Sequence, residues 1–332
     1  MLTDRFNRKL DYLRVSVTDK CNLRCTYCIP PTGVEYLSHD NVLRNEEFVR
    51  FIEFFVKLGV RKIRFTGGEP FVRKGFIDIL RETRELFPDV VLCVTTNGVL
   101  LEKHLDDLQA LDVRQLNVSL DSVLRSRYES ITGRDALHDV LRGIRSALER
   151  DFFNLKINAV LLPELLDEID EYLDYFKGDD ITLRFIERMP FVKEGVDHTF
   201  LSSDNFIELL RKKGTIIRNE RTDTNVAMMF DYNYRDCDLI RIGVIPAMTH
   251  KFCSRCNRLR LTCDGRIRTC LLSNLEYDIK TPHRMDMGDE AVLKIIEQAV
   301  REKPMEHGID CSGEGDGCVS LQSTRAMLKI GG

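Results

Sequence analysis

Thr18-Asp19-Lys20-Cys21-Asn22-Leu23-Arg24-Cys25-Thr26-Tyr27-Cys28 sets three thiols at C-x3-C-x2-C spacing, directly after a strand-like run, Tyr12-Leu13-Arg14-Val15-Ser16-Val17. A cubane 4Fe–4S cluster ordinarily takes four Cys thiolates. A compact loop that offers three leaves one iron without a protein ligand, open to chelate a small molecule. The best-known use of such a vacancy is to hold S-adenosylmethionine (SAM) and cleave it reductively into a carbon radical. The alternative is a zinc knuckle that borrows a fourth ligand, but structural zinc usually reads C-x2-4-C with a second pair downstream. Three crowded thiols match that pattern poorly.

The chain has 332 residues, which at roughly 150 residues per domain suggests about two domains. No apolar run approaches the ~20 residues of a membrane span, and the polar start, Met1-Leu2-Thr3-Asp4-Arg5-Phe6, reads as no signal peptide. Eleven cysteines without a secretory signal argue for a reducing cytoplasm and metal ligation, not a disulfide scaffold. A net charge of −4 gives no support for a nucleic-acid surface, so an anionic ligand would need a local basic pocket.

Outward from the cysteine loop, strand-like and helix-like segments alternate. Strands are expected at Arg61 to Thr66, Val90 to Thr95, Gln115 to Leu120, Leu155 to Leu161 and Ile181 to Glu187. Helices are expected at Asn45 to Leu58, about Lys74 to Phe87, near Glu102 to Leu111, Asp135 to Arg150, Glu164 to Phe176 and near Asp204 to Lys213. Alternation in such units implies a parallel sheet with helices outside. Six units fall short of the eight of a closed barrel, so the expectation is an α/β fold with an open, partial barrel. The rhythm breaks near Gly214, which gives a boundary between residues 1–214 and 215–332.

In parallel α/β folds ligands bind at the carboxyl ends of the strands. This chain's unusual residues collect there: Thr66-Gly67-Gly68-Glu69-Pro70 after the second strand, Thr95-Thr96-Asn97-Gly98 after the third, Ser119-Leu120-Asp121 after the fourth and Glu187-Arg188-Met189-Pro190 after the sixth. A Gly-Gly pair lets backbone approach a ligand. Alone it is most often a tight turn, Ser119 and Thr95 alone read equally as helix caps, and Met189 alone reads as packing. The cysteine loop, Gly-Gly-Glu-Pro and Ser-Leu-Asp together resemble radical SAM enzymes. The resemblance implies a partial (β/α)6 TIM-like barrel, with Tyr27, Gly68, Ser119 and Met189 at the SAM site.

A second set, Cys253, Cys256 and Cys270, reads C-x2-C-x13-C. A zinc ribbon with Cys263 or His250 as fourth ligand is one reading. Against it, the intervening segment is strand-like and basic, with Arg258 and Arg260 on one face at period two. Arginine pairs suit phosphate or purine-edge recognition. The chain ends in Lys329-Ile330-Gly331-Gly332. This combination, over essentially the whole length, resembles the GTP 3′,8-cyclase family of molybdenum cofactor biosynthesis.

That resemblance implies a second 4Fe–4S cluster on Cys253, Cys256 and Cys270 in a C-terminal α+β domain, its open iron meeting the guanine of GTP. It implies GTP contacts at Arg14, Arg64, Thr95, Lys156, Arg258, Leu259 and Arg260, catalytic roles for Arg14, Arg258 and Arg260, and a Gly-Gly tail reaching the active site. It also implies a reducing electron donor, a downstream cyclic pyranopterin monophosphate synthase, and a homodimer. No G-x4-G-K-[ST] sequence is present, so scattered cations must hold the triphosphate.

Asp310-Cys311-Ser312-Gly313-Glu314-Gly315-Asp316-Gly317-Cys318 departs from the family and reads as an exposed acidic loop. Cys93 reads as core, and Cys237 and Cys263 have no evident partner. Two other functions stay open on the residues: a radical SAM enzyme acting on a peptide, and a zinc-dependent binding module with an α/β core.

Overall fold

The computed structural model describes residues 1–191, 200–218, 226–235, 239–309 and 325–331. Cys237, Cys311, Cys318, the loop at 310–318 and Gly332 lie outside the described residues.

Six parallel strands form the middle of the sheet in sequence order: β1 (Tyr12–Ser16), β2 (Lys62–Thr66), β3 (Val91–Thr96), β4 (Gln115–Ser119), β5 (Asn154–Leu161) and β6 (Thr182–Glu187). Between them run α1 (Asn45–Lys57), α2 (Phe76–Leu86), α3 (Leu105–Ala110), α4 (Arg125–Thr132), α5 (Leu137–Leu148) and α6 (Ile169–Phe176), with α7 (Ser203–Lys213) after β6. Alternate strand residues drive the layering. Leu13, Ile63 and Leu92 are buried register neighbours on β1, β2 and β3, and so are Val94, Leu116 and Leu155 on β3, β4 and β5 and Ile157 and Leu183 on β5 and β6.

Helix α1 shows why a helix forms and docks. Phe48, Phe51, Ile52 and Phe55 recur at three- and four-residue spacing and are fully buried. Burying each such side chain stabilises by about 1.5–3 kcal/mol. At its start the Arg44 N–H donates to Glu47 Oε2 at 2.7 Å, a capping-box contact. Glu47 also accepts from Arg284 Nε at 2.7 Å, which ties α1 to the C-terminal part of the chain.

After α7 come β7 (Gly214–Arg218), β8 (Met228–Tyr234), β9 (Leu239–Ile245), β10 (Arg258–Leu261), β11 (Arg266–Arg268) and β12 (Tyr277–Asp278), then α8 (Lys280–Arg284), α9 (Asp289–Arg301) and α10 (Met327–Ile330). These strands join the same sheet at its two ends. β9 runs parallel to β6 and carries the β7–β8 ribbon, while β10 runs parallel to β1 and carries the β11–β12 ribbon. The order β12-β11-β10-β1-β2-β3-β4-β5-β6-β9-β8-β7 leaves the sheet open. The expected partial barrel is present, and the C-terminal part widens it at both edges.

Candidate active site

One cavity of about 510 Å³ opens on the concave face of the sheet, within the range of about 300–1,000 Å³ common for ligand sites. Cys21, Cys25 and Cys28 form part of its wall, and so do Cys253, Cys256 and Cys270. The two triads therefore face a common chamber.

The first loop is held by backbone contacts that require glycine. The Gly68 N–H donates to Thr18 O at 2.7 Å and the Glu69 N–H to Lys20 O at 2.8 Å. A Cβ at Gly68 would lie 2.2 Å from Lys20 O, and one at Gly67 would lie 2.6 Å from Thr18 O. The glycine pair thus serves the approach of the cysteine loop itself, in addition to opening backbone to the cavity. Glu69 is wholly buried and accepts from Asn97 N at 2.7 Å and Thr96 Oγ1 at 2.8 Å. Burial raises its carboxyl to about 7 despite those donors.

Burial and mutual repulsion oppose three bare thiolates here. Cys25 is pushed well above the usual thiol range by burial, then by Asp121, Cys28 and Cys21, and burial raises Cys28 to about 12. A polycationic iron core reverses that balance. The chain supplies donors to the sulfurs: the Leu23 N–H reaches Cys21 Sγ at 3.4 Å, Asn97 Nδ2 reaches it at 3.6 Å, and the Leu328 N–H donates to Cys28 Sγ. Such N–H···S contacts typify ligating thiolates.

In the second triad, Cys253 is raised by burial and by repulsion from Cys270 and Cys256, while Lys303, Arg258 and Arg260 outweigh burial and lower Cys256. A cubane spreads its ligating sulfurs over several irons. Neither suggested fourth zinc ligand lines the cavity: Cys263 is buried in the main core and His250 pairs with Asp204 at 2.9 Å. Both triads fit a 4Fe–4S cluster. Cys93 is core, as expected.

Register explains the rest of the wall. Tyr12 pairs with Lys62 on one side and Arg258 on the other, and Arg14 pairs with Arg64 and Arg260. Alternation sends all six side chains to the concave face. Asn117 pairs with Lys156, and Asn158 with Arg184, continuing the pattern across β4, β5 and β6. Among the described residues eight cations line the cavity (Arg14, Lys62, Arg64, Lys156, Arg184, Arg188, Arg258 and Arg260) against two carboxylates, Asp121 and Glu187. Both carboxylates are engaged. Asp121 accepts from Tyr27 Oη at 2.7 Å and Val160 N at 2.8 Å, and Glu187 accepts from Ser203 N, Met248 N and Thr249 Oγ1 at 2.6–2.7 Å.

The cations crowd one another. Burial, with help from Arg64 and Arg258, lowers Arg14 to about 10, and burial with Arg64 lowers Arg184 to about 10. Burial, then Arg184 and Lys62, lowers Lys156 to about 8. Tyr12 is pushed up by burial, but Arg64 and Arg14 pull it down to about 8. Among the described residues several buried guanidinium N–H groups of this region have no hydrogen-bond partner: Arg184 Nε, Arg258 Nη2 and Arg260 Nη1. Buried donors in that state call for an anion.

Every residue expected at the SAM site lies on this cavity: Tyr27, Gly68, Ser119 and Met189. So do Arg14, Arg64, Thr95, Lys156, Arg258 and Arg260, with Arg64 Nη1 at 3.4 Å from Thr95 Oγ1. Leu259 differs from these: alternation turns its side chain to the far face of β10, where it is fully buried in the core. Met327 and Leu328 also line the cavity, and Gly331 (φ 81°) packs against Ser16 and Thr66, so the C-terminal tail lies beside the site. Sequence reasoning missed Tyr12, Lys62, Asn117, Asn158 and Arg184. The first four stand two residues from one it did single out, a period-two signal, whereas Arg184 is reached only through its register partner Asn158.

The fold and the paired triads define a radical SAM enzyme. Residues 15–176 match the radical SAM superfamily, and residues 181–309 match the family described as Molybdenum Cofactor Synthesis C. A GTP 3′,8-cyclase of Rhodococcus opacus is 38% identical over 334 residues, covering 100% of this chain and 93% of that protein. One of Petrotoga mobilis is 36% identical over 311 residues, covering 92% and 94%. Among solved structures, Streptococcus suis SuiB bound to S-adenosylmethionine shares the fold, with a TM-score of 0.58 at 15% identity over 87% of this chain and 68% of that one. The chain belongs to the GTP 3′,8-cyclase family of the radical SAM superfamily. Among the described residues no helix is long and apolar enough to cross a membrane.

Proposed function

We infer that the chain is a GTP 3′,8-cyclase, converting GTP to 3′,8-cyclo-7,8-dihydro-GTP in the first step of molybdenum cofactor biosynthesis. The observation that carries this reading is the cationic wall of one cavity, set between two cysteine triads. A triphosphate satisfies that wall, whereas a neutral peptide leaves its buried guanidiniums without counter-charge. The product is an isomer of GTP. The hydrogen at C3′ leaves, a C3′–C8 bond forms, and one electron and one proton complete the reduced ring.

SAM bound at the first cluster supplies the 5′-deoxyadenosyl radical for this chemistry. The chain's own residues position the reactants. Tyr27, fixed by Asp121, and the Gly68 backbone, Ser119 and Met189 surround SAM. Arg64, Thr95 and Lys156, joined by Lys62 and Arg184, hold the triphosphate. Arg258 and Arg260 lie toward the second triad, where they face the purine, and Arg14 stands between Arg64 and Arg260 in register. These three stabilise negative charge on the ring as it is reduced. The tail at Met327 and Leu328 helps exclude water.

An external one-electron donor, a cytoplasmic setting, a homodimer and cyclic pyranopterin monophosphate synthase as consumer of the product belong to the same reading. Anaerobically reconstituted protein given SAM, GTP and reductant yields 5′-deoxyadenosine and a cyclised nucleotide together. Formation of 5′-deoxyadenosine at the same rate without GTP overturns the substrate assignment.

A further inference from the structure

Behind the second triad a lysine is buried, and among the described residues no carboxylate pairs with it. Lys303 follows α9 and is 2% exposed. Its ammonium donates to Cys256 Sγ at 3.7 Å, to Arg258 O at 3.1 Å, and to Thr269 O. Thr269 O, which it also meets, belongs to the residue directly before Cys270. Burying an ammonium costs several kcal/mol unless it is paired, and here the pairing groups are ligating sulfurs and the carbonyls beside them.

The segment that bears Lys303 is itself clamped around the triad. The His307 N–H donates to Cys253 Sγ. Arg8, from the start of the chain, donates to Cys253 O at 2.7 Å, Pro304 O at 2.6 Å and Met305 O at 2.9 Å, and its Nε meets Asp4 Oδ2 at 2.6 Å. Residues 303–307 thus place one cationic and one neutral N–H donor on two of the three sulfurs.

We propose that Lys303 is a positioning residue for the second cluster, a buried cation that locks Cys256 and the backbone beside Cys270 in place and raises the reduction potential of the cluster they hold. A positive charge and an N–H···S bond favour the more negative, reduced state of an iron–sulfur group. This rests on the reading that Cys253, Cys256 and Cys270 hold that cluster. A chain with Cys21, Cys25 and Cys28 replaced by Ala isolates the second cluster for EPR-monitored redox titration.

In that background Lys303→Met keeps a full complement of roughly four irons per chain and shifts the midpoint to lower potential, while Lys303→Arg recovers part of the shift. An unmoved midpoint in Lys303→Met at full iron content overturns the proposal. If Lys303→Met loses its iron, the unmodified background labelled with [15N]lysine decides. A 15N hyperfine coupling to the reduced cluster is expected, and its absence overturns the role of Lys303. A background chain that binds no iron at all overturns the cluster assignment and this proposal together.

Discussion

Arg14 of β1 and Arg260 of β10 are direct register partners on neighbouring parallel strands, one from each end of the chain. Two guanidiniums side by side on a buried surface repel. Burial, with Arg14 and Arg258, drives the Arg260 pKa well below its usual value. The sheet holds them there because Leu13 and Leu259, on the other face, pack into the core. Fold energy from one face of the strands holds an unfavourable charge cluster on the other.

Replacing Arg260 by Gln should therefore separate stability from binding. The ligand-free protein should melt no lower than the parent, and higher if repulsion dominates. GTP affinity should fall about ten- to a hundredfold, the loss of roughly 1.5–3 kcal/mol expected for a charged hydrogen-bonding partner. Thermal melts with and without GTP check both. A drop in melting temperature with GTP affinity unchanged contradicts the assignment.

GTP binding should weaken as pH rises through about 8. Lys156 has its pKa lowered from 10.5 to about 8, so its charged form penalises folding below pH 8, and the penalty lifts as pH rises toward 10.5. Tyr12 has its pKa lowered from 10.0 to about 8, so its anion adds stability as pH rises from about 8 toward 10. Both shifts make the ligand-free protein more stable across that window, and both make the cavity less positive. Isothermal calorimetry in buffers of different ionisation enthalpy should show proton uptake on GTP binding near pH 8.

Gly68→Ala should cost the first cluster and spare the second. A Cβ 2.2 Å from Lys20 O forces residues 18–21 away from β2 and spoils the spacing of the triad. Iron should fall from roughly eight per chain to roughly four. Full iron content in the variant would show that the loop adapts.

Glu187→Gln should destabilise the join between the barrel and the C-terminal segment. The carboxylate accepts from Ser203 N, Met248 N, Thr249 N and Thr249 Oγ1 at the end of β6, and an amide can satisfy only part of that set. A loss of about 2–3 kcal/mol is expected from denaturant melts.

The alternating strands β1 to β6 and the helices between them are legible because each carries its own period. Helix α4 was not, since only Tyr128, Ile131 and Thr132 of its residues are buried and no apolar stripe announces it. The pairing of β10 with β1 was not legible either, because register between distant segments leaves no local pattern. That pairing sets Arg14 beside Arg260, and Tyr12 beside Arg258, on one face, so the cysteines could be read from spacing while the full cationic wall could not. Lys62 and Arg184 look like ordinary strand charges until the sheet is assembled.

The central claim is that SAM at the first triad and GTP near the second share one chamber. Single turnover with GTP deuterated at C3′ tests it most directly. Mass spectrometry should find one deuterium in 5′-deoxyadenosine, and that label should vanish in Cys253→Ala. Unlabelled 5′-deoxyadenosine alongside cyclised nucleotide would contradict it.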